Sequence, residues 1–201
     1  MSKALTILGS TGTIGDSTLK VLSLHPDKFS LFALTAYSNC EKMFQQCVVW
    51  EPEYAVMVEE KAADALERKV KKAGLKVQVI WGLAGLEYVA SHPNTDYVMA
   101  GIVGAAGLLP NLAAAQAGKR VMLANKESLV MSGQLFMNAV EENDAQLLPI
   151  DSEHNAIFQC LPSIENKGEG STTKGVKKII LTASGGPFRE KTLKQLERVT
   201  P

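Results

Sequence analysis

Short apolar, β-branched runs alternate along the chain with longer stretches in which apolar positions recur at helical spacing. The strand-length runs are Ala4 to Leu8, Ser30 to Ala36, Tyr54 to Val58, Val77 to Trp81, Tyr97 to Ile102, Arg120 to Ala124, Gln146 to Ile150 and Lys178 to Ala183. Between them, Ile14 to Leu24, Glu41 to Val49, Glu60 to Ala73, Leu83 to Ser91, Leu108 to Ala117 and Leu129 to Asn143 carry the helical period. Strands that alternate singly with helices build βαβ crossovers, so an α/β fold with a doubly wound, mostly parallel sheet is expected.

The regular alternation stops after Ile150. Residues 151–201 hold one short helix, the polar stretch Pro162 to Gly175, one strand and a terminal helix, too little to bury a core comfortably. The expected organisation is therefore a domain over residues 1–150 and the incomplete beginning of a second over 151–201.

Composition narrows the function classes. Of 201 residues, 21 are basic and 21 acidic, so no net positive field favours a nucleic-acid backbone or an anionic membrane. Cys40, Cys47 and Cys160 are odd in number and lack paired C-x-x-C spacing, which reads as free thiols in a reducing compartment. The run Ala4 to Leu8 leads straight into glycines and reads as a strand rather than a signal, and Ala100 to Pro110 is too short to span a bilayer. A soluble, cytoplasmic protein without nucleic-acid or membrane partners is expected.

The strongest chemical motif is Gly9-Ser10-Thr11-Gly12-Thr13-Ile14-Gly15, placed after a first strand and opening a first helix. Glycines there let the backbone turn tightly and approach a pyrophosphate, while the helix start offers free N–H groups and a positive dipole end. This context makes the fold Rossmann-like; the competing reading is a glycine-rich turn that binds nothing. The end of the second strand, Ala36-Tyr37-Ser38-Asn39, lacks the carboxylate that grips the ribose of NAD, which favours NADP. The basic partner expected of an NADP site is missing as well, and Lys42 is the nearest cation.

Three later turns are candidates. Asn125-Lys126-Glu127 follows the strand ending at Ala124; capping accounts for Asn125 and Glu127, but a cation at a helix start is misplaced unless an anion binds there. Asp151-Ser152-Glu153-His154 follows the strand ending at Ile150, and two carboxylates at i, i+2 suit a hard cation such as Mg²⁺ or Mn²⁺. An N-cap with a first-turn acid is the equally good structural alternative. Thr182 to Arg189 ends a strand in small residues and hydroxyls, and either holds an oxyanion or closes a tight turn.

Taken together, GSTGTIG at 9–15, IVGAAGLLP at 102–110, LANKESLV at 123–130, LLPIDSEHNAIFQ at 147–159 and LTASGGPFR at 181–189 closely resemble 1-deoxy-D-xylulose 5-phosphate reductoisomerases. The blocks run in order and are far more specific than a glycine motif. The resemblance implies an isoprenoid-pathway enzyme that rearranges its sugar-phosphate substrate and reduces the resulting aldehyde with NADPH, giving 2-C-methyl-D-erythritol 4-phosphate. It also implies a divalent metal (magnesium, manganese or cobalt), a homodimer, and an α+β catalytic domain beginning at Asp151. By the same likeness Thr11, Gly12, Thr13, Ile14, Asn39, Asn125 and Glu127 hold NADPH. Lys126, Ser152, Glu153 and Ser184 hold substrate, with Lys126 and Glu153 catalytic, and Asp151 and Glu153 are metal ligands.

The chain departs from the family in two ways. Many members carry Gly-Lys-Asn where this sequence reads Tyr37-Ser38-Asn39, which weakens the NADPH preference. Members are also about twice as long, and a third metal-binding glutamate, a substrate histidine and an Asn-Lys pair lie past the point matching Pro201, so this chain alone is expected to be inactive. The rival reading is a short nucleotide-binding module without catalysis; another NAD(P)-linked oxidoreductase fits the later blocks poorly.

Overall fold

A computed structural model describes residues 2–124, 126–161, 175–180 and 185–200. The chain divides into two units, Met1–Asp151 and Ser152–Pro201.

In the first unit the alternation of apolar runs becomes β1 (Lys3–Leu8), α1 (Thr13–Leu24), β2 (Phe29–Ala36), α2 (Cys40–Trp50), β3 (Tyr54–Met57), α3 (Glu60–Lys72), β4 (Gln78–Trp81), α4 (Gly82–Ser91) and β5 (Tyr97–Ala100). A 3₁₀ turn at Ala105–Gly107 leads to α5 (Leu108–Gln116), β6 (Arg120–Leu123), α6 (Glu127–Glu142) and β7 (Gln146–Pro149). The strands form one seven-stranded sheet in the order β4-β3-β2-β1-β5-β6-β7, and every ladder is parallel. The chain steps outward from β1 to β4, then returns to the other side of β1 as β5. That reversal is the topological switch point, the place where doubly wound sheets open a ligand crevice at the carboxyl ends of their strands.

Period-two alternation decides which helices cover which face. From β1, Leu5 and Ile7 join Leu34, Met57 and Met99 under Leu19 and Leu22 of α1, Met43 and Cys47 of α2, and Leu66 and Val70 of α3. Leu8 points the other way and joins Val98, Val121, and Phe136 of α6. The polar Thr6 on that second face is buried without an orphaned hydroxyl, because its Oγ meets the Val89 carbonyl at 3.2 Å and the Thr95 hydroxyl at 2.8 Å. Strands buried on both faces explain why the runs read as continuously apolar rather than alternating.

Helix α3 carries a charged outer face, with Lys71 and Glu67 paired at 2.8 Å. Helix α6 begins at Glu127, two residues earlier than the apolar period indicates, and kinks at Ser132, just before Gly133.

In the second unit α7 (Ser152–Cys160) and α8 (Leu193–Leu196) are helical, α8 opened by a capping box between Thr192 and Gln195. The strand expected over Lys178 to Ala183 is corrected for its described part. Lys178 to Ile180 join no ladder among the described residues, and Ile180 is 77% exposed. An apolar β-branched run satisfies the composition of a strand, but only a partner supplies the hydrogen bonds that make one. Residues 181–183 lie outside the described residues. No helix among the described residues is long and apolar enough to cross a membrane.

Candidate functional site

The turn after β1 is fixed by hydrogen bonds from two neighbouring elements. Gly9 N–H donates to the Thr35 hydroxyl at 2.9 Å and Ser10 N–H to the Thr35 carbonyl at 2.7 Å, which ties the turn to the end of β2. Ser10 Oγ donates to Gln46 Oε1 at 2.7 Å while Gln46 Nε2 donates back to the Ser10 carbonyl at 2.9 Å. One buried amide thus satisfies the hydroxyl and the carbonyl of Ser10 and ties the turn to α2.

Glycine is required at two positions of this turn. Gly9 has φ +81°, and Gly15 sits so close to Ser10 that a Cβ there would lie 2.2 Å from its carbonyl oxygen. Gly12, by contrast, is the extended N-cap of α1 and is exposed, as is Thr13; a Cβ at Gly12 would have only the Gly9 oxygen nearby, at 3.5 Å. Beyond this cap, the N–H groups of Thr13 and Ile14 have no backbone acceptor among the described residues. Open donors, the positive dipole end and a glycine that admits close approach together fit the pyrophosphate of a dinucleotide. Thr11 is half-buried, and Ile14 packs on the core beside Gly101.

The β2–α2 turn adds a feature that spacing alone does not reveal. Asn39 is the N-cap of α2, its Oδ1 accepting Lys42 N–H at 3.1 Å. The Lys42 side chain then reaches across to the glycine turn, donating to the Thr11 carbonyl at 3.0 Å and to Asp16 Oδ2 at 2.6 Å. Gln46 and Asp16 are absent from the sequence-based candidates. Gln46 did leave a signal, as a polar residue between Met43 and Cys47 on the buried stripe of α2.

Farther along the same sheet edge, Lys126 is exposed and occupies the N-cap of α6 with no side-chain cap. The capping alternative for Asn125 is corrected in position: the helix starts at Glu127, so the cap belongs to Lys126. Asn125 itself lies outside the described residues. A cation at this position opposes the helix dipole, which favours an anion in front of it. Directly behind, buried Ser128 accepts from Asn111 Nδ2 at 3.2 Å, joining the first turn of α6 to α5.

Asp151 ends the first unit and is half-buried, whereas Ser152, Glu153 and His154 open α7 and are exposed. The two carboxylates are hard oxygen donors, the right kind for Mg²⁺, but two do not complete its shell. Among the described residues no group of three His, Cys, Asp or Glu is placed to hold a metal. Ser184 lies outside the described residues. Thiol chemistry has no support in α2, where burial, reinforced by Cys40, pushes the Cys47 thiol up to about 12.

A family model of 1-deoxy-D-xylulose 5-phosphate reductoisomerase matches residues 5–133, and a model of the 1-deoxy-D-xylulose 5-phosphate reductoisomerase C-terminal domain matches residues 147–201. The 1-deoxy-D-xylulose 5-phosphate reductoisomerase of Nitrosospira multiformis is 55% identical over 197 residues, 98% of this chain and 49% of that protein. The Zymomonas mobilis enzyme, solved in complex with NADPH, superposes with a TM-score of 0.84 at 40% identity, covering 100% of this chain and 50% of that one. A DOX-P reductoisomerase solved with NADPH, fosmidomycin and magnesium gives 0.85 at 45% identity, covering 98% and 49%. The chain spans about half the length of the relatives it matches.

Proposed function

This chain belongs to the 1-deoxy-D-xylulose 5-phosphate reductoisomerase family, and from that premise we propose that it supplies the NADPH domain and part of the substrate and metal site of such an enzyme. Residues 1–150 form the cofactor domain and 151–201 the beginning of the catalytic domain. The activity is conversion of 1-deoxy-D-xylulose 5-phosphate to 2-C-methyl-D-erythritol 4-phosphate. The observation that carries this reading is the glycine turn after β1, wired to Thr35 and Gln46 and open at Gly12.

Thr11, Gly12, Thr13 and Ile14 receive the NADPH phosphates on the N-terminus of α1. Asn39 stands at the adenosine end, while Asn125 and Glu127 lie along the rest of the cofactor. Lys126 brings positive charge to the substrate, where it favours oxyanion character at the reacting carbonyl. Ser152, Glu153 and Ser184 orient the sugar phosphate, and Asp151 and Glu153 hold a divalent metal. When bound, NADPH supplies the hydride and the metal, magnesium or manganese, polarises the ketone oxygen. The protein's own contribution is to hold these groups in register and keep Lys126 beside them. The complete enzyme works as a homodimer in the cytoplasm, an assignment that rests on the family resemblance.

Titrating the 201-residue protein with NADPH while following nicotinamide fluorescence tests the reading. Saturable binding is expected, together with a rise in Tm at excess NADPH. No binding would overturn the cofactor assignment. With 1-deoxy-D-xylulose 5-phosphate and Mg²⁺ added, no oxidation of NADPH is expected, because two carboxylates leave the metal under-ligated. Steady metal-dependent oxidation would overturn that division of labour.

A further inference from the structure

NADPH differs from NADH by one phosphate on the adenosine ribose, and a site that prefers NADPH must present a cation there. The end of β2 reads Tyr37-Ser38-Asn39 and offers none. We propose that Lys42 is the residue that selects the 2′-phosphate, a role assigned by its placement across the two turns that flank the adenosine half of the cofactor.

Lys42 belongs to the first turn of α2, with its backbone N–H fixed on Asn39 Oδ1 at 3.1 Å, so its main chain stands at the adenosine end. Its Nζ is fixed at the other turn, 3.0 Å from the Thr11 carbonyl and 2.6 Å from Asp16 Oδ2. The side chain therefore spans from the β2–α2 turn, which takes the ribose, to the β1–α1 turn, which takes the pyrophosphate, with its ammonium at the latter. Two of its three protons are engaged and the third remains for a ligand. At 34% exposure the side chain is reachable from solvent yet held in place. A cation in the first turn of a helix also faces the unfavourable end of the dipole, a cost that an incoming phosphate removes.

Asp16 is the rival acceptor. Its carboxylate on α1 and a 2′-phosphate compete for the same ammonium, so Asp16 limits how strongly Lys42 favours NADPH over NADH. The pair thus sets cofactor preference rather than merely bracing the turn.

This inference rests on the NADPH reading, and the two fail in distinguishable ways. Dissociation constants for NADPH and NADH are measured by fluorescence titration on wild type, Lys42→Ala, Lys42→Arg, Asp16→Asn and Lys69→Ala. Lys42→Ala is expected to weaken NADPH roughly tenfold or more relative to NADH, the size of a lost charge-assisted contact. Lys42→Arg keeps the preference, and Asp16→Asn raises it. Lys69→Ala, which removes a cation paired with Glu41 on the neighbouring α3, leaves it unchanged. Equal weakening of both dinucleotides in Lys42→Ala would make Lys42 only a brace, and an equal shift in Lys69→Ala would make the effect a general field; either overturns the proposal. If Lys42→Ala does not fold, an unchanged preference in Asp16→Asn overturns it instead. Wild-type protein that binds both dinucleotides equally overturns this proposal alone, whereas wild type that binds neither overturns the NADPH reading and this proposal with it.

Discussion

The turn after β1 and the segment after β7 both follow parallel strands of one sheet, but they are held in different ways. In the first, Ser10 is buried, its hydroxyl and carbonyl are bonded to Gln46, and Thr35 anchors the N–H groups of Gly9 and Ser10 before the loop opens. In the second, Ser152, Glu153 and His154 are exposed and α7 buries none of its residues. The glycine turn is thus shaped by the fold without any ligand, an arrangement that lowers the ordering cost of binding. The residues of α7 are not packed in this way, so substituting them tests chemistry without disturbing a core.

That contrast is broken most severely at Gly15. Alanine there places Cβ 2.2 Å from Ser10 backbone that cannot move without tearing its bonds to Thr35 and Gln46. Gly15→Ala is expected to cost at least about 3 kcal/mol in denaturant unfolding. Gly12→Ala, three residues away, is the complement: it meets only the Gly9 oxygen at 3.5 Å. Stability should stay within about 1 kcal/mol while NADPH affinity falls, because the added methyl stands at the cap that leads into the open N–H groups of Thr13 and Ile14. A Gly15→Ala protein as stable as wild type would show that the turn is not preset.

The next largest effect is expected at Gln46. Gln46→Leu keeps the volume but strands the Ser10 hydroxyl and carbonyl in the interior, at a cost of about 2 kcal/mol. A loss below about 0.5 kcal/mol, within the ordinary range for surface positions, would mean that water replaces the amide and that the lock is local decoration.

These two sites also mark where sequence reading succeeds and stops. The seven strands and six helices of the first unit follow from apolar runs and helical period, and the glycine turn from its place after β1. Each of those signals is local, so a few neighbouring residues contain it. The Lys42–Thr11 bond spans 31 positions and the Ser10–Gln46 pair 36, and nothing local encodes such pairings. Gln46 was visible only as a polar intruder between Met43 and Cys47. The run Lys178 to Ile180 failed for the converse reason, since its composition suits a strand but its pairing depends on residues elsewhere. The start of α6 shifted to Glu127 because the first turn of a helix is chosen by charge and capping as much as by apolar period.

A smaller effect, dependent on pH, is expected where β1 begins. The Ala4 N–H donates to Asp96 at 2.9 Å, and this bond, helped by Lys3 at 3.2 Å, holds the Asp96 carboxyl below its ordinary value of 3.8. A carboxylate with a depressed folded pKa stabilises the protein fully above its unfolded value, and that contribution disappears as pH falls through the folded one. Asp96→Ala should therefore cost less than about 1 kcal/mol at pH 7, the group being partly exposed and screened. The difference from wild type should shrink steadily as the pH is taken below 4. A difference that stays constant with pH would assign the effect to packing instead of charge.

The smallest stability change is expected at Glu153, where the contrast between the two regions is sharpest. Glu153→Gln keeps the shape and the helical propensity of an exposed first-turn residue, so unfolding free energy should stay within about 0.5 kcal/mol of wild type. Loss of a first-turn acid beside the helix dipole contributes about 0.3 kcal/mol of that at an exposed, screened position. Binding of Mn²⁺, followed by the loss of the free-ion electron paramagnetic resonance signal, should weaken measurably, and Asp151→Asn should weaken it too. The amide oxygen of glutamine still offers a lone pair but no charge, so a hard divalent ion loses most of what held it. Unchanged Mn²⁺ binding in both variants would remove the pair from the metal site. A large stability loss in Glu153→Gln would show instead that α7 is packed through this side chain, and the distinction between a preset glycine turn and an exposed acidic segment would fall.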